Sequence, residues 1–275
     1  MPVVAITREM GSLGKDVAAG LGEALGLPVV YHEVIEHLAD RMRLRKSHVI
    51  RLLDGKAGLL ERLTADQTSL SIHSADEILG VASQARGAVI RGWGATHLLR
   101  EVPHAICVRV CAPFELRKQR MLQRLDTSEA DQVADEIRVN DEAHAAIMRR
   151  HFGVQWTDSE HYDLSLNTQR VSVEKCVDEV LALVRSPEFA ETDASRQRLE
   201  DLALAARVRA ALRLSPGTRD MRVSVITQRG RVQLAGVVAS ADERAACTEV
   251  AGTVVGVSEI DDQLRAADAV RPRYH

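Results

Sequence analysis

Lys15 stands next to last in a run, Arg8-Glu9-Met10-Gly11-Ser12-Leu13-Gly14-Lys15-Asp16, whose residue types suit one task, the holding of phosphate. Gly11 and Gly14 let the backbone come close to a ligand, and Leu13 sits between them. Unpaired N–H groups at a helix start, with the positive end of the helix dipole, attract phosphate oxygens, and Lys15 adds a point charge. Ser12 and Asp16 carry the oxygens nearest to a Mg2+ ion bound with such phosphates. Glu9 stands where the usual loop has its first glycine, and Asp16 where it has a metal-binding Ser or Thr. An ordinary strand-to-helix turn is the alternative, with Asp16 a helix-end carboxylate favoured by the dipole. Arg117, Arg120 and Arg124 recur at helical spacing, as Arg138, Asp141 and Arg149 do later. Guanidinium groups suit the charge spread over phosphoryl oxygens. A solvated basic face and a surface Arg138–Asp141 pair are the alternatives. His144 and His151 are seven apart with no third ligand, so they do not predict a metal site. Trp93 and Trp156 either stack a base or fill the core, packing being the role expected of Trp156.

Around these residues the chain alternates. Val3 to Ile6 is a continuous apolar run, the pattern of a strand buried on both faces, and an amphipathic stretch from Lys15 to Leu25 follows, stopped at Gly26. Short strands are expected at 27–31, 88–90, 105–111 and 162–167. Helices are expected within 32–86 and over 114–125, 128–151 and 173–184. Strands alternating with helices predict an α/β fold, a parallel sheet flanked by helices. Residues 186–198 lose the periodicity and gain polar residues, which places a linker there. Beyond it, a helix from about Leu199 to Leu212 precedes an apolar-faced hairpin turning at Gln228-Arg229-Gly230, a helix over 242–254 and a strand over 257–264. That is a small α+β domain.

The 275 residues, 45 % of them apolar, suffice for one medium and one small core, which excludes a wholly disordered chain. With 36 Lys and Arg against 39 Asp and Glu the net charge is −3, so no basic coat points to nucleic acid. Cys107, Cys111, Cys176 and Cys247 lack metal-ligand spacing and read as reduced core residues. No signal-like or membrane-spanning apolar run is present, and a soluble, cytoplasmic protein is expected.

Ile6-Thr7-Arg8-Glu9-Met10-Gly11-Ser12-Leu13-Gly14-Lys15 resembles the variant phosphate loop of the cytidylate kinase-like family of P-loop nucleoside monophosphate kinases. The likeness continues through Leu25 to Tyr31, Val89-Ile90-Arg91-Gly92, Ala112 to Arg117, Tyr162 to Thr168 and Val171 to Glu174, covering residues 1–185. It implies that Gly11, Ser12, Gly14 and Lys15 hold the phosphates of ATP with Mg2+, that the γ-phosphoryl group passes to a nucleotide substrate such as CMP or dCMP, and that Asp163 lies near this acceptor. Arg117 and Arg149 would neutralise the moving charge, with Arg120 on the donor. The chain departs from the family at three places that touch acceptor binding or transition-state charge. His32 replaces an acidic residue, Trp93 the arginine of a Gly-Arg pair, and His144 a lid arginine, while Arg91, Arg149 or Arg150 stands close enough in sequence to substitute. A nucleotide sensor without turnover is therefore the second reading. An already ionised phosphate acceptor needs no strong general base, in keeping with the absence of a triad.

Residues 199–268 resemble a BON domain through Gly230-Arg231-Val232-Gln233-Leu234-Ala235-Gly236 and Val255 to Leu264. The resemblance implies a binding module that contacts a protein partner or a lipid surface. Oligomeric state is left open.

Overall fold

Val3, Val4, Ala5 and Ile6 are each at most 1 % exposed, because the strand they belong to lies at the centre of a sheet covered on both faces. The structure is a computed structural model and describes residues 1–31, 38–42, 44–53, 67–84, 86–92 and 94–267. Five parallel strands, β1 (Val3–Arg8), β2 (Val29–Val30), β3 (Ala88–Arg91), β4 (Ala105–Cys111) and β5 (Leu164–Asn167), pair in the order β2-β3-β1-β4-β5. The helices are α1 (Gly14–Leu25), α2 (Lys46–Leu53), α3 (Gln67–Gln84), α4 (Ala95–Leu98), α5 (Phe114–Leu125), α6 (Ala130–Phe152) and α7 (Val173–Val184). The expected α/β architecture is therefore present.

Alternate residues of the strands serve two cores. Val4, Ile6, Ile106, Val108 and Val110 meet α1 and α7, whereas Val3, Ala5, Ala105 and Cys107 face Ile78, Leu79 and Ala82 of α3. α5 and α6 join through Met121, Val133 and Ile137. The ends of α1 are set locally: Gly26, at φ 64°, takes the left-handed C-cap for which glycine carries no side-chain penalty.

The second unit contains α8 (Asp193–Leu214), β6 (Ser224–Gln228), β7 (Arg231–Val238), α9 (Ala241–Gly252) and β8 (Glu259–Ala266). β6 and β7 form the expected hairpin, and β8 adds parallel to β7. Two glycines fix its shape. Gly230 (φ 81°) turns the hairpin against Ser258, and at Gly236 (φ 146°) a Cβ would stand 2.9 Å from the Arg222 carbonyl. The helix expected from about Leu199 instead starts at Asp193, where Thr192 accepts from the Ser195 amide and Ser195 Oγ accepts from the Thr192 amide. This capping box uses serine rather than glutamate, so the polar segment read as linker is in part the first turn of α8.

All four cysteines are free; Cys111 is half-buried while the other three are buried. Among the described residues no helix is long and apolar enough to cross a membrane.

Candidate functional site

β1 delivers the chain to the carboxyl end of the sheet, and α1 begins six residues beyond Arg8 in a turn built by two left-handed residues, Gly11 (φ 80°) and Leu13 (φ 64°). The Glu9 amide donates to the Val110 carbonyl (3.1 Å), the Ser12 amide to the Glu9 carbonyl (3.2 Å), and the amides of Asp16 and Val17 to the Leu13 carbonyl (3.0 Å each). The amides of Gly11, Leu13, Gly14 and Lys15 have no backbone acceptor among the described residues. They are the donors that an anion at a helix start would use. Lys15 and Asp16, both exposed, stand in the first turn of α1.

The loop is held from behind by neighbours that leave no slack. A Cβ on Gly11 would lie 2.8 Å from the Arg117 carbonyl, and one on Gly14 2.6 Å from Arg8 Cβ. Ser12 is fully buried and its hydroxyl donates to the Val110 carbonyl (3.0 Å). This corrects its assignment as a metal contact, because the hydroxyl is used inside the fold. Asp16 is the accessible oxygen group of the pair.

Glu9 is the centre of this support. Its carboxylate accepts from Arg109 Nη2 (2.6 Å) and the Ala112 amide (3.1 Å), and pairs with Arg117 Nε (3.4 Å). Arg117 donates further to the carbonyls of Ala112 (3.1 Å) and Met10 (3.2 Å) and meets both oxygens of Asp141 (3.2 and 2.8 Å). A chain of alternating charges, Arg109–Glu9–Arg117–Asp141, thus links β4, the loop, α5 and α6. Arg117, expected on the phosphates, is buried with its guanidinium committed to protein groups. It positions the loop through the Met10 carbonyl rather than facing a ligand. Arg120 is likewise a brace: it donates to Thr168 Oγ1 (2.9 Å) and the Thr168 carbonyl (2.8 Å), and the Thr168 hydroxyl donates to the Ser12 carbonyl (2.9 Å). Arg124 is exposed.

On α6, Arg138 pairs with Asp135 (2.9 Å), so the Arg138–Asp141 pair does not form. Arg149 is exposed in the last turn. His144 lies over the end of β1, its Nε2 3.3 Å from Thr7 Oγ1, and packs edge-on against Trp156 at 4.3 Å. Burial, aided by the nearby charge of Arg8, holds its pKa down at about 4. A neutral imidazole therefore occupies this position. Trp156 is 4 % exposed and fills the core, with Arg109 above its ring at 5.7 Å.

At the end of β3, Arg91 is buried and lies 3.7 Å from the Tyr31 ring centre. Helical residues 38–42 bring Arg41 to Asp76 and, at 3.1 Å, to Glu77 of α3. His32 and Trp93 lie outside the described residues. Asp163 is misplaced for acceptor binding. Its carboxylate accepts from the Cys107 amide (2.7 Å) and its amide donates to the Cys107 carbonyl (2.8 Å), which extends the pairing of β4 with β5. Cys107 lies four residues before Cys111, about 13 Å along the strand from the end where the phosphate loop sits. The residues missed from sequence are Arg109, Thr168, Arg41, Asp76 and Glu77. An arginine inside the otherwise apolar β4 was the available signal for the first.

Residues 3–170 match the sequence profile of the cytidylate kinase-like family, and residues 200–268 that of the BON domain. A cytidylate kinase from Methanothermobacter thermautotrophicus is 26 % identical over 161 residues, covering 58 % of this chain and 89 % of that protein. The fold is similar to an uncharacterised protein from Eubacterium ventriosum, with a TM-score of 0.54, 19 % identity, and coverage of 68 % of this chain and 99 % of that one. A shikimate kinase from Bacteroides thetaiotaomicron aligns with a TM-score of 0.41 and 15 % identity over 66 % of this chain and 98 % of that one.

Proposed function

The chain belongs to the cytidylate kinase-like family, and from that premise we propose that residues 1–185 transfer the γ-phosphoryl group of ATP to a nucleoside monophosphate of the CMP or dCMP type. The observation that carries this reading is the loop itself: the amides of Gly11, Leu13, Gly14 and Lys15, without backbone acceptors among the described residues, at the start of α1 where Lys15 is exposed. These groups suit a polyphosphate. Lys15 and the amides would bind the donor, and Asp16 is the accessible oxygen beside it for Mg2+, which when bound neutralises phosphate charge. Arg149, exposed on α6, is assigned to the moving phosphoryl group, and Arg91 beside Tyr31 at the end of β3 to the acceptor. Alignment and charge carry such a reaction, since the acceptor phosphate is already ionised.

A second reading, a nucleotide sensor without turnover, is favoured by the neutral His144 over Thr7 and by the commitment of Arg117 to Asp141 and Glu9. Both leave fewer cations for a transition state. The C-terminal unit is assigned binding rather than chemistry, to a protein partner or a lipid surface. The deciding experiment is ADP release from Mg-ATP across a panel of nucleoside monophosphates, beside Lys15→Ala. Turnover lost in the variant supports the kinase; ATP binding without turnover for any acceptor selects the sensor.

A further inference from the structure

Over the turn of residues 202–206, α8 has no polar face. Leu199, Ala203 and Ala206 are buried in the cluster that includes Val3, Ala5, Ile78, Leu79 and Ala82, whereas Leu204, Ala205, Val208 and Leu212 are buried with Val225, Val232, Leu234 and Cys247 of the second unit. A turn apolar all round must be covered all round, and neither unit covers this one alone.

Polar contacts fix the same arrangement along its length. Ser195 Oγ meets the buried His104 Nδ1 at 2.8 Å, Arg198 pairs with Glu101, and near the far end Arg213 Nε donates to Ser69 Oγ of α3 at 2.7 Å. Just before α8, Glu191 pairs with the N-terminal ammonium and with Arg196 (2.7 Å). On the other side, the Asp201 carboxylate, 8 % exposed, accepts from the Arg229 amide at 2.7 Å in the β6–β7 turn. One helix therefore carries buried bonds to both units.

We infer that the C-terminal module is not a tethered accessory but a structural part of the kinase-like unit: α8 completes the core on the α3 side of the sheet, and the two units fold and unfold as one body. A consequence is that whatever binds the module acts, through α8, on α3, the helix whose Asp76 and Glu77 hold Arg41. This inference does not depend on whether the phosphate loop turns over.

The sequence supplies a reporter. Trp93 and Trp156 both fall within residues 1–185, so in a Trp93→Phe background the buried Trp156 reports on the first unit alone, while circular dichroism follows the whole chain. Leu234 is fully buried in the cluster that begins at Leu204 and contains no residue of the first unit. In the full chain with that background, Leu234→Ala is expected to lower the tryptophan-monitored midpoint together with the dichroism midpoint, by on the order of 10 °C. Val232→Ala serves as a milder version if Leu234→Ala leaves no folded protein. A dichroism transition that moves or splits while the tryptophan midpoint stays at the temperature of the background overturns the inference, because it makes the units independent.

Discussion

Replacing Glu9 by glutamine tests whether the acid in the phosphate loop is a strut. Glutamine keeps an acceptor for the Ala112 amide but removes the charge facing Arg109 and Arg117, whose side chains are 12 % and 7 % exposed. Arg117 keeps Asp141. Arg109 loses its carboxylate, and its buried Nε has no partner among the described residues. Leaving one member of a buried pair uncompensated costs about 3–5 kcal/mol. At about 2–4 °C per kcal/mol for a chain of this size, the midpoint of thermal unfolding is expected to fall by roughly 10 °C. The partner variant separates charge from packing: Glu9→Gln combined with Arg109→Met removes both ends of the pair and is expected to recover most of the loss. Thermal scans of the four proteins at neutral pH complete the cycle. If Glu9→Gln alone unfolds within a degree or two of wild type, the four-charge chain contributes little and the reasoning fails.

Other outcomes follow from the same contacts. Burial favours the neutral ring of His144, so the unfolded chain takes up its proton first; stability from this group is whole above about pH 6.5 and is lost as pH falls towards about 4. The loss is about 3 kcal/mol, and His144→Gln should flatten the acid limb of a urea-denaturation pH profile by one proton relative to wild type. Gly11→Ala combines a positive φ with a Cβ 2.8 Å from the Arg117 carbonyl, and should weaken ATP binding in calorimetry at least tenfold; unchanged affinity would show that the loop yields. Thr168→Val removes the bonds from Arg120 and to Ser12, with an expected destabilisation of about 1–3 kcal/mol in urea unfolding.

What could be read from sequence was what local pattern determines. The limits of β4, α5 and α7 match the apolar and amphipathic runs that predict them, because each is covered by neighbours in the ordinary way. α8 was placed late for the opposite reason: its opening turn is polar, and the turn of residues 202–206 is apolar on every side, so no amphipathic period marks where it starts. The left-handed turn at Gly11 and the place of Lys15 in the first turn of α1 were legible because backbone conformation is a local property. The roles of Glu9, Arg117 and Arg120 were not, since each is decided by partners far away in the chain, such as Arg109 for Glu9 and Thr168 for Arg120. Helical spacing gave the arginines a common direction but could not say what waited there. Asp163 illustrates a different limit. It precedes a strand, and in a parallel sheet the beginning of a strand is at the end away from the ligand.

The shared helix also bears on how the chain is made. β5 is complete at Asn167, yet the outer apolar side of α3 and its cluster stays uncovered until Leu199 to Ala206 have been synthesised, and α8 in turn is covered on its other side by β6, β7, α9 and β8, which come later still. At about 5–20 residues per second, a nascent chain spends seconds with that apolar surface open. The interval is a window for chaperone capture or misassembly, and it closes only when β8 has been made.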